Sequence, residues 1–412
     1  MAFRCSLAPR ILTFWGIVVY GAAGHADEPT TPASGETASE SGYVFGAAYT
    51  GDIWKNTTGG IKRDVAYLDN LDLTAGIDAE RTWGWHGATF FGYLLGNFAD
   101  TLSADIVGDA QGVSNIDAAS AARVFELWYE QNFWDDWVSV KTGLYNLNSE
   151  FDVIETGGLF INSSHGIGVD FSQAGENGPS IFPVTSLAVR GRLALTGTIS
   201  LQMAILDGVP GDPNHPRRTT IRLGGGNGVL LTAEADYVDG AGTKLAIGAW
   251  RFTARFDDVS ATDAAGDPLR RSGNRGIYML GERMIYREPG RPEQGLAVYA
   301  RLGFADSDVN QFSNYIGAGA VYTGLLPGRD EDRLGLALAV ARNGEPFKDA
   351  LRAAGARVFD QEIIIELTYR AEVTPWLTLQ PDIQYAMNPG AGANGDLDDA
   401  LVVGLRFELN PF

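Results

Sequence analysis

In the stretch Glu362–Tyr385, EIIIELTYRAEVTPWLTLQPDIQY, apolar and polar residues alternate on both sides of a break at Thr374-Pro375. A period of two places successive side chains on opposite faces of a strand. One face is apolar and includes Ile363, Ile365, Leu367, Leu379 and Ile383. The other face is polar and includes Glu362, Glu366, Thr368, Arg370, Asp382 and Gln384. The stretch therefore predicts a β-hairpin with one apolar and one polar face.

The same alternation recurs along the chain from Tyr43 onward and predicts an all-β protein. The typical length of the alternating segments suits tilted strands that cross a membrane. Sixteen segments are predicted to be strands: 43–54, 66–80, 84–97, 123–133, 137–147, 185–195, 197–206, 228–238, 242–253, 274–286, 295–306, 314–323, 333–342, 361–373, 376–386 and 399–409.

The predicted connections alternate in length, which is the layout of a transmembrane β-barrel. Tight turns are predicted at 81–83, 134–136, 196–197, 239–241 and 374–375. Long loops are predicted at 98–122, 148–184, 207–227, 254–273, 343–360 and 387–398, while 287–294 and 324–332 are intermediate. The sequence thus predicts a 16-stranded antiparallel transmembrane β-barrel with short periplasmic turns and long external loops. Sixteen strands enclose a wide interior, so we expect apolar faces toward lipid and polar faces around a wet lumen.

The beginning of the chain indicates an exported protein. Residues 1–26 combine Arg4 and Arg10 with an apolar run and small residues, which predicts a signal peptide cleaved after Ala26, with Ala23 as the alternative site. Residues 27–42 are rich in Pro, Ser, Thr and Glu and predict a disordered periplasmic linker, which leaves 43–412 for the barrel. The single cysteine, Cys5, falls within the predicted signal peptide, so we expect a mature chain without disulfides.

Composition and motifs argue against two other classes of protein. A formal net charge of −20 over 412 residues is unfavourable for binding nucleic acid. The histidines lie far apart in the sequence and have no metal-ligand spacing: His25, His86, His165 and His215. The sequence contains neither a nucleophile elbow nor a phosphate-binding loop. We therefore expect no metal, no cofactor and no enzymatic activity.

Five stretches of the sequence carry a family resemblance: Trp137–Asp152 (WVSVKTGLYNLNSEFD), Asn162–Arg190 (NSSHGIGVDFSQAGENGPSIFPVTSLAVR), Asp207–Pro216 (DGVPGDPNHP), Thr374–Pro389 (TPWLTLQPDIQYAMNP) and Leu401–Phe407. They resemble the OprB-like carbohydrate-selective porins. The resemblance implies a 16-stranded outer-membrane barrel for passive diffusion of small neutral sugars such as glucose, with charged residues near its constriction.

The expected partners follow from the same resemblance. They are the sugars, outer-membrane lipid and the barrel assembly machinery, which reads a terminal aromatic residue such as Phe412. Phe412 is out of phase with Leu405, Phe407 and Leu409, so this terminal signal is only partial. The sequence leaves open a homotrimer or a monomer. It also leaves open an anion-selective or general diffusion porin, and a non-conducting barrel that acts as an adhesin or an anchor.

The predicted inward faces carry polar side chains suited to hydroxyl-rich solutes. The candidate pore-lining and sugar-binding residues are Arg190, Arg192, Lys141, Glu366, Arg370, Asp382, Gln384 and Arg406. Opposite charges on neighbouring strands would create a transverse field that suits polar, uncharged solutes. The alternative is that these residues line a water-filled lumen without making it selective.

The 148–184 connection is the candidate for a constriction loop that folds into the barrel, the alternative being a loop that caps it outside. Its sugar-compatible residues are Asn162, Ser163, Ser164, Asp170, Ser172 and Gln173. Arg190 and Arg192 follow this loop on one strand face, about 6–7 Å apart at the usual rise per residue. We expect both arginines to lie in water and to donate hydrogen bonds to sugar hydroxyls.

Overall fold

The computed structural model describes residues 42–98 and 101–410. Every strand pairs antiparallel with its neighbours along the chain, and β1 pairs with β16, so the sheet closes into a barrel of sixteen strands. The predicted fold class is confirmed. The strands are β1 Tyr43–Thr58, β2 Val65–Asp78, β3 Ala88–Asn97, β4 Ala121–Phe133, β5 Val138–Tyr145, β6 Ser186–Ala194, β7 Ile199–Asp207, β8 Val229–Val238, β9 Thr243–Thr262, β10 Pro268–Glu288, β11 Arg291–Ala305, β12 Phe312–Thr323, β13 Arg333–Asn343, β14 Gln361–Thr374, β15 Leu377–Met387 and β16 Ala400–Leu409.

The helices are short and lie in the connections. The α-helices are α1 Ala79–Trp83, α2 Val169–Ser172 and α3 Glu345–Ala353. Single turns of 3-10 helix occur at Leu147–Ser149, Thr156–Leu159, Ser163–His165 and Pro389–Gly392, with one π-turn at Ser103–Val107. Among the described residues, no helix combines the length and the apolar character needed to cross a membrane. The predicted signal peptide 1–26, the linker 27–42 except Gly42, and Phe412 lie outside the described residues.

The two faces of the β14–β15 hairpin point as the alternation predicts. Glu366 pairs with Gln384 across the two strands, and both side chains are buried inside the barrel. Ile365 and Leu367 on β14 and Ile383 on β15 are exposed on the outer surface. The apolar faces of the strands therefore form the outside of the barrel, where a bilayer would cover them.

One end of the barrel carries the short turns and a ring of aromatic side chains. The exposed tryptophans of this end are Trp83, Trp85, Trp134, Trp137 and Trp376. Tryptophan concentrates at membrane–water interfaces, and short turns mark the periplasmic end of outer-membrane barrels. We therefore call this end the turn end, and the opposite end, with its long connections, the loop end.

The tight turn predicted at 81–83 is wrong, because β2 ends at Asp78 and helix α1 follows it. The Asp78 carboxylate accepts a hydrogen bond from the Arg81 amide at 3.0 Å, which caps the start of the helix. Gly84, with φ 71°, ends it in the left-handed conformation that glycine adopts without strain. The predicted strands 66–80 and 84–97 are consequently shorter, and the connection spans 79–87.

The long loop predicted at 254–273 is also wrong, because β9 and β10 continue through most of it. Only residues 263–267 form the turn, where the Asp263 carboxylate accepts from the amides of Ala265 and Asp267 at 2.8 and 3.1 Å. We call the protruding part, residues 254–272, the external hairpin. The intermediate connection predicted at 287–294 shrinks to residues 289–290 between β10 and β11.

Two connections of the loop end fold into the barrel and fill much of its interior. Residues 146–185, here called the inward loop, bury Phe151, Phe160 and Phe171 against the wall. Phe171 stacks on Trp250 of β9 with ring centroids 4.9 Å apart and an interplanar angle of 3°. The second inward loop, residues 101–120, packs Leu102, Val107 and other apolar side chains against the wall of β1. Apolar side chains of these two loops therefore occupy part of the lumen beside the polar face of the wall.

Candidate functional site

The inward loop leaves β5 beside a cluster of four charged side chains. The Glu150 carboxylate accepts from Lys141 Nζ on β5 at 2.6 Å and from Arg190 Nε on β6 at 2.5 Å. Glu130 on β4 lies 2.9 Å from Arg190 Nη2 and 3.6 Å from Lys141 Nζ. Burial alone would raise the pKa of Glu150, but Arg190 and Lys141 hold that pKa well below its ordinary value. Two cations and two carboxylates thus fix the start of the loop to the wall.

This cluster corrects one expectation about the two arginines of β6. Arg190 is 2% exposed and its guanidinium is taken up by Glu130, Glu150 and Ser139, so it does not lie in water. Arg192 lies on the same face of β6, two residues closer to the turn end, and it is exposed. The sequence could not separate the two, because the partner of Arg190, Glu150, belongs to the loop.

The middle of the inward loop reaches the opposite side of the barrel. The Glu366 carboxylate on β14 accepts from the amides of Ile161 and Asn162 at 2.6 and 3.1 Å. Gln384 on β15 accepts from the Asn162 side chain at 3.0 Å and donates to Asp382 at 3.1 Å. Two of the predicted pore-lining residues, Glu366 and Gln384, therefore contact the loop, and Asp382 is joined to it through Gln384. Since β14 and β15 lie far around the sheet from β5, the loop crosses the lumen.

His165 lies beside Glu366 but does not form an ion pair with it. Burial lowers the pKa of His165 to about 3, so the ring is neutral at physiological pH. Its Nδ1 shares a hydrogen bond of 2.8 Å with the hydroxyl of Tyr299 on β11. The contact of 3.7 Å between Nε2 and Glu366 is therefore a packing contact.

Arg301 on β11 holds two carboxylates of the inward loop, and sequence reasoning missed it. Its guanidinium donates to Asp152 at 2.8 and 2.6 Å and to Asp170 at 2.6 Å. Burial raises the pKa of Asp152 to about 7, although Arg301 opposes this rise. The only sequence signal was a single arginine among the tyrosine and glycine residues of its strand face, Tyr299 and Gly303.

Arg406 on β16 anchors the second inward loop. Its guanidinium donates to both oxygens of Asp52 on β1 at 2.7 and 2.9 Å and to the Asn115 side chain at 2.8 Å. Arg370 on β14 is half-buried, and its guanidinium donates to Glu408 at 2.9 Å and to Glu372 at 3.2 Å. These contacts include opposite charges on neighbouring strands, such as Arg406 on β16 and Asp52 on β1.

The predicted loop residues separate into a buried and an accessible group. Asn162 is buried and caps the 3-10 turn of Ser163–His165, and the Ser164 hydroxyl donates to Gln111 of the second inward loop at 3.0 Å. Asp170 is buried against Arg301, and Ser163 is half-buried. Ser172 is half-buried and Gln173 is exposed, so these two remain reachable from the lumen or the loop end.

The described ranges 42–98 and 101–410 contain no group of three or more His, Cys, Asp or Glu residues that could hold a metal ion. The polar groups instead form a framework of ion pairs and hydrogen bonds. This framework can hold a narrowed passage open with fixed walls, because its buried charges have partners. A narrowed barrel lumen with polar walls can select solutes by size and by hydrogen bonding.

Comparisons with known proteins agree with this geometry. The model of the family described as "Carbohydrate-selective porin, OprB family" matches residues 62–410. Porin B of Pseudomonas aeruginosa is 26% identical, over 95% of each chain. The putative porin QuiX of Acinetobacter baylyi is 22% identical, over 90% of this chain and 89% of its own.

Solved structures show the same fold. OprB of Pseudomonas putida at high pH superposes with a TM-score of 0.78 at 24% identity, covering 90% of this chain and 94% of that chain. The outer-membrane channel DcaP of Acinetobacter baumannii gives a TM-score of 0.55 at 12% identity, over 89% and 96% of the two chains. The closed barrel is thus a fold already observed in outer-membrane channels.

Proposed function

The chain belongs to the OprB family of carbohydrate-selective porins and is a sugar-selective channel of the bacterial outer membrane; from this premise we propose that small neutral sugars such as glucose diffuse passively past its inward loop. The observation that carries the proposal is the course of this loop. It is fixed to β5 and β6 by Glu150 and to β14 by the amides that bind Glu366. A loop held on both sides of the lumen leaves a passage of fixed size.

The charge arrangement favours neutral solutes over anions. Lys141, Arg190, Arg301 and Arg406 each face at least one carboxylate within ion-pair distance. A buried cation that is neutralised by its own partner offers little attraction to a passing anion. Hydroxyl groups can still exchange hydrogen bonds with polar side chains along the wall.

We assign two roles to the candidate site residues. Arg192, Ser172, Gln173 and Arg370 are accessible or half-buried and would contact the sugar directly. The buried members would hold the inward loops in place: Lys141, Arg190, Glu366, Asp382, Gln384, Arg406, Asn162, Ser164 and Asp170. Ser163, which is half-buried beside this group, belongs with them.

Planar-bilayer recording tests the proposed function. We expect a folded, inserted barrel to carry an open-channel current that glucose reduces in a saturable manner, with a reversal potential showing no strong chloride preference. A strong chloride preference would favour an anion-selective porin instead. A barrel that inserts but conducts nothing would contradict the proposal and would favour an adhesin or an anchor.

The role of Arg192 is tested by Arg192→Ala in the same recording. Loss of a charged hydrogen-bond donor should weaken glucose binding by about 1–3 kcal/mol. The matched control is Arg251→Ala, which removes an exposed arginine from the outward-facing side of β9. An unchanged glucose affinity in Arg192→Ala would remove this residue from the sugar site.

The remaining proposals concern the parts of the chain outside the barrel and its partners. We propose that residues 1–26 are a cleaved signal peptide, that 27–42 form a periplasmic linker and that 43–412 form the barrel. The partners would be outer-membrane lipid and the barrel assembly machinery, the protein being a homotrimer or a monomer without enzymatic activity. Amino-terminal sequencing of the mature protein tests the cleavage after Ala26, and chemical crosslinking in the membrane distinguishes the two oligomeric states.

A further inference from the structure

Arg301 connects two distant points of the inward loop through one guanidinium group. Nε and Nη2 donate to the two carboxylate oxygens of Asp152, at 2.8 and 2.6 Å. Nη1 and Nη2 donate to the two oxygens of Asp170, at 2.6 and 3.3 Å. All three side chains are at most 1% exposed. Asp152 lies near the start of the loop and Asp170 in helix α2, so this contact closes the segment between them into a ring.

The backbone around Arg301 is shaped to admit this contact. A Cβ atom on Gly303 would lie 2.1 Å from an Asp170 carboxylate oxygen. A Cβ atom on Gly168 would lie 2.1 Å from Nη1 of Arg301. Because such distances are impossible, glycine at both positions allows the two carboxylates to approach the guanidinium.

The contact of Arg301 with Asp152 and Asp170 is here called the clamp. The barrel wall supports the clamp from both neighbouring strands. The rings of Tyr278 on β10 and Tyr315 on β12 lie 5.5 and 5.1 Å from the Arg301 guanidinium carbon, within the range of cation–π attraction. The Tyr315 hydroxyl also donates to the Ser164 carbonyl of the loop at 2.6 Å. The Asp152 amide donates to Glu234 on β8 at 2.8 Å. Arg301 is thus in contact with the wall on both sides and with the loop.

We propose that Arg301 is the positioning residue that sets the width of the sugar passage, by holding both limbs of the inward loop against β11. This inference rests on the proposed function of the chain as a sugar channel. Arg301 does not contact the sugar, since its side chain is buried and its donors are occupied by Asp152 and Asp170. It acts through the loop.

Loss of Arg301 should move the loop and leave the barrel intact. The pairing of β11 with β10 and β12 is made by backbone groups along the whole strand and does not involve the guanidinium. Removal of the cation leaves two buried carboxylates without a partner, which is strongly unfavourable. The loop can relieve this cost by moving its carboxylates into the water of the lumen, whereas the barrel wall cannot move.

The test uses the full-length protein in planar bilayers, with Arg301→Met as the variant. The control is Arg271→Met, which removes an arginine paired with Asp258 on the external hairpin, at 2.7 Å. We expect Arg301→Met to raise the single-channel conductance at least twofold and to weaken the glucose block at least tenfold. Arg271→Met should match the wild type. Heat-modifiable migration on a gel verifies that each barrel is folded.

Two further variants keep the test decisive. Asp152→Asn with Asp170→Asn keeps Arg301 and removes its anchors, so it should also widen the pore, and it replaces Arg301→Met if that variant does not assemble. Arg301→Met combined with both Asn substitutions removes all three charges and should recover part of the glucose block. Wild-type conductance and block in the variants that break the clamp would overturn the proposal. If the wild type conducts but shows no glucose block, the proposed function fails, while the conductance change still tests the clamp.

Discussion

The inward loop and the external hairpin both connect strands at the loop end, but one enters the barrel and the other projects away from it. The inward loop folds into the barrel and buries Phe151, Phe160 and Phe171 completely. The external hairpin continues the strands β9 and β10 beyond the wall, and its charged residues such as Arg255, Asp257 and Arg270 are exposed. The difference follows from composition, because only the inward loop has enough apolar surface to repay the entropy of ordering it inside the lumen.

The two segments also differ in their contacts with the rest of the molecule. The inward loop binds side chains from β5, β6, β11 and β14. The external hairpin is held mainly by its own ladder and by a few neighbours, such as the Val259 amide, which donates to the Asp308 carbonyl at 2.9 Å. We therefore expect substitutions in the first to change transport and equivalent substitutions in the second to leave transport unchanged.

The largest effect is expected from Phe171→Ala. This ring is fully buried and stacks on Trp250, and the loss of a buried aromatic side chain costs about 3–5 kcal/mol. The loop should dissociate from the wall, which raises the conductance and abolishes the glucose block in bilayer recordings. The hairpin counterpart is Leu269→Ala, whose exposed side chain should contribute less than about 0.5 kcal/mol. Equal behaviour of the two variants would remove the distinction between the segments.

A smaller effect is expected from Glu366→Gln. The carboxylate accepts from two loop amides, and a glutamine would present an amide donor to one of them, at a cost of about 1–3 kcal/mol. Asp258→Asn is the matched control, because Asp258 accepts from the amides of Ser260 and Ala261 on the hairpin at 2.9 and 2.7 Å. Glu366→Gln should weaken glucose block and increase current fluctuations, whereas a wild-type recording would show that this anchor is dispensable.

The smallest effect is expected from pH and acts on the inward loop through Asp152. With the loop in place the pKa of Asp152 is about 7, above its ordinary value of 3.8, because the effect of burial exceeds that of Arg301, while Asp170 and Glu234 add to the rise. Protonation of Asp152 alone leaves Asp170 paired with Arg301, so the docked loop gains stability from the protonated form. This stability is fully present below the ordinary pKa of 3.8 and is lost as pH rises through 7. Conductance should rise modestly between pH 6 and pH 8, and Asp152→Asn should abolish this change. A pH-independent wild type would contradict this prediction.

Much of the barrel could be predicted from the sequence, because strand alternation is a local property. Which residues of β14 and β15 face outward could be read from the alternation alone, as Ile365 and Ile383 are exposed while Glu366 and Gln384 are buried. The capped helix α1 was missed, although Asp78 and Gly84 are its cap residues, because tight turns are the usual connection on that side. The extension of β9 and β10 was missed because charged residues on both faces concealed the alternation.

The site was less predictable, because its contacts join residues far apart in the chain. Arg190 and Arg192 look equivalent in the sequence, but Arg190 is buried against Glu150 of the inward loop and Glu130 of β4, whereas Arg192 is exposed. Arg301 could not be linked to Asp152 by any local pattern. The second inward loop had a usable signal, since Leu102, Ile106 and Val107 are apolar residues in a connection that should otherwise be polar.

The role of the inward loop as the constriction is tested most directly by titrating the single-channel current with glucose. The wild type is compared with a variant whose residues 153–179 are replaced by a short Gly-Ser linker. This replacement removes the part of the inward loop that crosses the lumen and keeps all sixteen strands. We predict a small wild-type conductance with saturable glucose block, and a several-fold larger conductance without saturable block in the variant. A variant that assembles and keeps both the wild-type conductance and the wild-type glucose affinity would contradict the claim that this loop forms the sugar-selective constriction.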